Sequence, residues 1–273
     1  MSKAHGTDFR ALHQRGNPFI LANAWDGGSA RMLAAMGAKA IATSSNAHAF
    51  TLGRLDGGNI SRDEALAHAQ DLMSHVDLPV SGDFEDGFGE DPDTCAETVR
   101  LSGEIGMAGI CIEDIKGGWG EAYDFDLSVE RIRAAAAAAR ALPRDFVFVA
   151  RADGVMTDSY DIDEAIRRIQ AYDAAGAEVL YVPMPGTLDD LKKVIAATDK
   201  PVNVLAAGPF AKTSLAEYAA LGVARISLGS ALMRATQQTI LDAGRAMFGG
   251  GDFSPLTNAA SFDVVAPMLE REQ

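Results

Sequence analysis

The feature that most constrains this chain is a repeated beat. A short apolar run is followed by a longer helical stretch, and a glycine often stands before the next run. Eight apolar runs occur, at residues 19–25, 39–45, 79–85, 109–114, 145–151, 178–184, 202–206 and 225–229. Most are rich in Val and Ile and do not alternate cleanly with polar residues, the pattern of strands buried on both faces. Helical stretches at 29–36, 92–105, 128–142, 162–175, 188–197 and 215–221 lie between them. Ser61, with Glu64 three residues on, opens a further helix as a capping box. Gly37, Gly106, Gly176 and Gly222 each stand at a helix end, where the left-handed cap suits glycine. Eight such units predict a closed (β/α)8 barrel of roughly 250 residues. An open doubly wound sheet is the rival, but Trp25-Asp26-Gly27-Gly28-Ser29 has neither phosphate-loop spacing. The last unit is less regular. A long helix at 231–248, the run Phe248-Gly249-Gly250-Gly251-Asp252 and an apolar helix at 261–269 exceed what one barrel needs. The expectation is a barrel over 1–248 and a helical extension over 249–273 that belongs to the same fold. Its last helix is expected to be exchanged with a neighbouring copy, in a homodimer or homotetramer.

Barrels keep their chemistry at the C-terminal strand ends. The third strand ends in Ser81-Gly82-Asp83-Phe84-Glu85-Asp86-Gly87. Side chains two apart on a strand point the same way, so Asp83 and Glu85 repel unless a cation sits between them. Mg²⁺ is the natural partner, with Mn²⁺ as an alternative, because both suit oxygen ligands. No clustered Cys and His set suggests structural zinc. Asp86 faces away from the pair. Glu113 ends the fourth strand and can hold metal-bound water. Arg151 ends the fifth, where its fork can grip a carboxylate in bidentate fashion, with Asp153 as the competing partner. Ser44, Ser45 and Asn46 follow the second strand and offer hydroxyls and amides to a carboxylate, although an ordinary turn also accounts for them. Asp56 matters only if its loop folds over the acids. Asn203 is polar in an apolar strand and needs a partner. Glu178 opens the sixth strand on these boundaries and is kept because boundaries drift by a few residues. His48 is the histidine near these residues; His5, His13, His68 and His75 read as terminal or helix-surface groups. Cys111, inside the fourth strand, reads as a buried, inert thiol.

Composition removes several functions. A formal net charge of −14 argues against nucleic acid or an anionic membrane as a partner. It leaves a small anionic substrate open, because one metal or arginine dominates locally. No apolar stretch reaches the ~20 residues of a membrane span. Two cysteines without a motif, and no secretory segment, predict reduced thiols in a cytoplasmic protein.

Taken in order, Asn23-Ala24-Trp25-Asp26, Ala42-Thr43-Ser44-Ser45, Leu52-Gly53-x-x-Asp56-Gly57, Ser61-Arg62-Asp63-Glu64, the acidic run from Leu78 to Gly89, Gly109-Ile110-x-Ile112-Glu113-Asp114 and Arg225-Ile226-Ser227-Leu228-Gly229 resemble the isocitrate lyase/phosphoenolpyruvate mutase superfamily. The resemblance covers essentially the whole chain. It implies a (β/α)8 barrel, often with a swapped last helix, that binds Mg²⁺ and 2-oxo acids or their enolates. By resemblance, Asp83 and Glu85 match metal-associated acids, with Asp56 and Glu113 acting through water. Trp25, Ser44, Ser45, Asn46 and Asp83 match the substrate-holding positions, Arg151 the arginine clamp, and Glu178 and Asn203 the far side of the pocket. The loop after strand four departs from the family. Its lyases resemble one another in a Lys-x-Cys-Gly-His loop whose cysteine is the catalytic acid, and its phosphonate-forming mutases carry Lys and Asn-Ser. Here the loop reads Ile115-Lys116-Gly117-Gly118-Trp119-Gly120-Glu121. Lys116 is its one cation able to reach substrate or move a proton, and Trp119 its one large apolar face. Four readings follow: a metal-dependent carbon–carbon lyase or decarboxylase on a small 2-oxo or 2-hydroxy diacid; a phosphonopyruvate-type mutase or hydrolase; a non-catalytic 2-oxo-acid binder; and a structural barrel.

Overall fold

In the computed structural model, which describes residues 4–270, eight parallel strands close into a barrel in sequence order. They are β1 (Phe19–Asn23), β2 (Ile41–Ala42), β3 (Val80–Asp83), β4 (Gly109–Ile112), β5 (Val147–Arg151), β6 (Val179–Tyr181), β7 (Val202–Leu205) and β8 (Arg225–Ser227). The ring shuts where Phe19 of β1 pairs with Arg225 of β8. Seven strands stop short of their expected ends, and only β5 runs to its predicted limit at Arg151. Interstrand pairing ends where the backbone fans out into loops, so apolar runs overstate the ladder at the mouth.

The helices between strands are α2 (Gly27–Ala35), α3 (Ser45–Thr51), α4 (Arg62–His75), α5 (Pro92–Ile105), α6 (Phe125–Ala141), α7 (Ile162–Ala175), α8 (Leu188–Ala196) and α9 (Leu215–Leu221), with α1 (Ala4–Leu12) ahead of the barrel. The Ser61–Glu64 capping box forms at the start of α4. Gly106 ends α5 at φ 102°, a conformation that favours glycine. Their inner faces, with the outward side chains of the strands, make the larger apolar core around Phe84, Phe146, Phe148, Ile112 and Tyr172. Truncating a ring such as Phe148 to alanine there costs about 3–5 kcal/mol. A second, smaller cluster fills the barrel interior, with Leu21, Ala42, Cys111, Val149 and Tyr181.

Two helices are not legible as apolar periodicity. α1 lies across the lower end of the barrel. Its Phe9 is fully buried and meets His13 and Phe19 edge-on, at 4.8 and 6.0 Å between ring centres. This corrects the expectation that His13 is a surface residue: burial and the nearby Arg225 push it down to about 3, so it is neutral. α3 forms where a Ser/Asn turn was expected, capped by the Ser44 side chain.

The chain ends in α10 (Ala231–Gly250), a 3-10 turn (Ser254–Asn258) and α11 (Phe262–Leu269). Of α10 only Met233 and Ala243 are buried. Within the single chain, α11 rests on α2, and Arg31 donates to the Leu269 carbonyl. No helix among the described residues is long and apolar enough to cross a membrane.

Candidate active site

A cavity of about 620 Å³ opens at the C-terminal ends of the strands. Ser44, Ser45, Asn46, Asp56, Asp83, Glu85, Glu113 and Arg151 all line it, so most of the residues singled out from the sequence meet at one place. Arg151, at the end of β5, is the hub. Its Nη1 donates to Asp83 Oδ1 at 2.9 Å, and its Nη2 lies 2.9 Å from Glu113 Oε2. Its Nε donates to Asp153 Oδ1 at 3.1 Å, and Nη2 also pairs with Asp153. The competing partner Asp153 is therefore engaged, and Asp83 and Glu113 take the remaining nitrogens in place of the substrate carboxylate expected from the sequence. Burial opposes its charge, but Asp153, Glu113 and Asp83 outweigh burial and raise it well above the ordinary arginine value. Asp153 is itself fixed from behind. Its backbone N–H donates to Asp114 Oδ1 at 2.9 Å, while Asp114 Oδ2 accepts from Tyr160, Tyr172 and Arg168 at 2.7, 2.9 and 3.0 Å.

The acidic pair meets in the cavity for a different reason from the one expected. β3 ends at Asp83, and Glu85 lies beyond it at φ 46°, so strand alternation does not align the two. A left-handed turn by a non-glycine residue is strained, a condition often kept at functional sites. Asp83 Oδ2 accepts from the Ser45 N–H and hydroxyl at 3.0 and 3.1 Å, so the Ser44–Asn46 segment holds an acid of the protein itself. The loop after α3 does fold over the acids. Gly58 N–H donates to Glu85 Oε2 at 2.8 Å, and Asn46 Nδ2 donates to Asp56 Oδ2 at 3.2 Å. Asp86 faces away, as expected, and anchors the loop after β4 through Tyr123 at 2.8 Å and Gly117 N–H at 3.3 Å.

These residues fit a hydrated divalent ion. Glu85 Oε1 and Asp56 Oδ1 are buried without a partner. Burial, with Asp83, Asp56 and Asp86 nearby, pushes Glu85 up to about 7 against the pull of the Gly58 N–H. Burial likewise holds Glu113 well above the usual carboxylate range, opposed by Arg151. Crowded carboxylates with unused oxygens are relieved by a cation. Among the described residues no three His, Cys, Asp or Glu side chains form a ready-made cage.

Four expected positions need correction. Glu178 sits at the lower end of the barrel, 2.7 Å from Arg10 of α1, with Oε2 accepting from Phe148 N–H. It starts β6, and strand direction puts it on the face opposite the cavity. Trp25 is not on the cavity wall. β1 has already ended, and its backbone is tied to Ser29 and to His68 beside α2 and α4. Asn203 is fully buried beneath the wall, where it accepts from Arg225 Nε at 2.8 Å and donates to Ser227 at 2.9 Å. Lys116 points outward, 3.5 Å from Glu90 and over the Tyr123 ring. A bridge between Ile115 and Ala122 folds the loop so that Gly118 and Trp119, not Lys116, face the cavity. Trp119 Nε1 donates to Asp56 at 3.3 Å. Cys111 lines the interior as a thiol pushed up to about 12 by burial, which agrees with the inert reading. His68 is not a surface group: it stacks on His48 at 3.9 Å.

The sequence reading missed Asn23 and Arg225. Asn23 Oδ1 accepts from Leu228 and Gly229 N–H at 2.8 and 2.9 Å, and its Nδ2 donates to the Thr43 carbonyl, stapling β1 to its two neighbours at the mouth. The signal available was the one used for Asn203, a polar side chain in an apolar strand.

The family model for phosphoenolpyruvate phosphomutase matches residues 9–248. The chain belongs to the phosphoenolpyruvate phosphomutase family, within the isocitrate lyase/phosphoenolpyruvate mutase superfamily. A solved structure from Burkholderia cenocepacia J2315, provisionally described as a lyase/mutase, is 43% identical, with TM-score 0.93 over 99% of this chain and 97% of that one. An uncharacterised Mycobacterium tuberculosis H37Rv protein is 34% identical over 89% of both chains. The 2-methylisocitrate lyase of Escherichia coli K12 is 32% identical over 64% of this chain and 61% of its own length. Other phosphomutase-family relatives are named as oxaloacetate decarboxylases and a 2,3-dimethylmalate lyase. The superfamily is one of metal-dependent enzymes, and this member keeps the barrel and the acidic mouth while its loop after β4 has neither cysteine nor histidine.

Proposed function

We propose that this protein is a divalent-metal-dependent carbon–carbon lyase or decarboxylase acting on a small 2-oxo or 2-hydroxy dicarboxylic acid through an enolate. One observation carries the reading: four acids and Arg151 converge on one cavity, and two buried carboxylate oxygens there have no partner. Asp83, Glu85, Asp56 and Glu113 are the residues that would hold Mg²⁺, directly or through water. When bound, the ion supplies positive charge against the negative charge that develops on the substrate carbonyl oxygen. Arg151 holds Asp83 and Glu113 in place at the mouth, and Ser45 and Asn46 do the same for Asp83 and Asp56, so that these acids present a fixed set of oxygens to the ion and its substrate. The bond from the carbon next to the carbonyl to the departing carboxylate breaks, and its electron pair passes towards the carbonyl to give an enolate. Trp119 covers the cavity and limits water there. The loop after β4 carries no thiol or imidazole. Decarboxylation needs none, since CO₂ leaves and the enolate takes its proton from water. We place the activity in the cytoplasm, where the free Cys95 and Cys111 stay reduced.

The matched family description favours a second reading, a phosphonopyruvate-type mutase or hydrolase. A screen of 2-oxo and 2-hydroxy acids with added Mg²⁺ or Mn²⁺ decides between them. The first reading expects release of pyruvate from oxaloacetate or a substituted malate, abolished by EDTA. Turnover of phosphonopyruvate alone would replace it with the second. Tight 2-oxo-acid binding without turnover of any of these compounds would leave a binding protein.

A further inference from the structure

Four arginines line the cavity: Arg54, which pairs with Glu64, exposed Arg234, and Arg151 and Arg225, which lie deeper in opposite electrostatic conditions. Arg151 is saturated by Asp83, Glu113 and Asp153. Arg225 is not. It opens β8, where it pairs in register with Phe19 and Asn203, and is only 2% exposed, yet it lines the cavity. Its Nε donates to Asn203 Oδ1 at 2.8 Å, while its Nη1 is buried with no hydrogen-bond partner. Among the described residues no carboxylate pairs with it. The charged and titratable groups near it are Cys111, Tyr181, neutral His13 and Arg151, three neutral groups and a like charge. Burial lowers it to about 10, so it remains a cation at neutral pH. A buried, unpaired guanidinium is costly, and one that borders a cavity with a nitrogen still unpartnered is matched by a carboxylate.

We infer that Arg225 reads the second carboxylate of the substrate and so sets specificity for dicarboxylic over monocarboxylic 2-oxo acids. The inference rests on the proposed function for the first carboxylate and deepens it. The acids fixed by Arg151 hold the 2-oxo acid end at the mouth, and Arg225 marks the floor. Cys111 lies between, with its sulfur 3.8 Å from Arg151 Nη1 and within the field of Arg225. Asn203 and Ser227 hold the Arg225 side chain in place. Its role is to select and hold that carboxylate; it donates no proton to the reaction.

Matched pairs of ligands test this: oxaloacetate against 2-oxobutyrate, and 2-oxoglutarate against 2-oxovalerate, bound to the Mg²⁺-loaded protein and followed by calorimetry. In each pair the terminal carboxylate is replaced by methyl. The wild-type protein should favour the dicarboxylate of at least one pair by about tenfold or more. Arg225→Met should bring that ratio close to one and leave the monocarboxylate affinity unchanged, and Arg225→Lys should recover part of it. Equal affinity within both pairs for wild type overturns the inference without needing any variant to fold, and leaves the proposed function standing. Failure of all four acids to bind removes both. The other source of a carboxylate-like charge is a resident small anion. If chloride or acetate raises the thermal stability of wild type but not of Arg225→Met, and the ligand pairs show no preference, the site holds that anion and the inference is wrong.

Discussion

At the scale of single residues, the site is a contest for Arg151. Three carboxylates hold it, so removing one leaves the others paired while the cavity loses an oxygen donor. Asp83→Ala should leave a folded chain that no longer shows metal-dependent ligand binding, and should lower turnover by about 100-fold or more. Unchanged Mg²⁺ affinity in calorimetry would remove Asp83 from the ion site. Cys111→Ser should keep most of the activity, because the protonated thiol packs under Asp83 and does not react; a folded, metal-binding Cys111→Ser protein with no turnover would say otherwise. Asp83, Glu85, Glu113 and Arg151 were legible in the sequence because a charge at the end of an apolar strand adds nothing to core packing and must find a partner at the mouth. Glu178 was misread because a residue at a strand boundary belongs to whichever end the ladder gives it. Arg225 escaped notice because an arginine opening a strand looks like a surface residue until the barrel closes around it.

At the scale of elements, two contacts govern the mouth. The loop over Asp56 and the loop after β4 meet where a Cβ on Gly57 would lie 2.5 Å from the Gly117 carbonyl oxygen. Gly57 is also at φ 83°. Gly57→Ala should separate the two loops, as should Trp119→Ala, and each should lower turnover more than Mg²⁺ affinity; an equal loss in both would mean the loops build the ion site itself. The second contact is the stack of His48 on α3 against His68 on α4. Burial, then His68, holds His48 down at about 4, and burial also lowers His68. A histidine depressed in the folded state contributes stability above its unfolded value of about 6.5, and that contribution is lost as pH falls towards 4. Urea midpoints should therefore drop between pH 7 and pH 5, and His48→Gln should flatten that drop. The capping boxes and glycine ends of these helices were readable because each is a local rule. α3 was not, because its seven residues carry no periodicity and its cap resembles a turn.

At the scale of the whole molecule, the segment from α10 to α11 leaves Phe248, Phe253 and Phe262 exposed at 90%, 64% and 82%. Large exposed rings on the last helices fit an interface with a second copy. Light scattering at micromolar concentration should give a dimer or larger, and truncation after residue 248 should reduce it to monomer; a full-length monomer would refute this. Phe9, His13 and Phe19 stopper the far end of the barrel. Among the described residues the barrel is thus a vessel stoppered below and open at its mouth. Whatever enters must leave past Trp119 in the reverse direction, so incoming substrate queues behind departing product. Sugars that thicken the solvent should then slow kcat in step with relative viscosity.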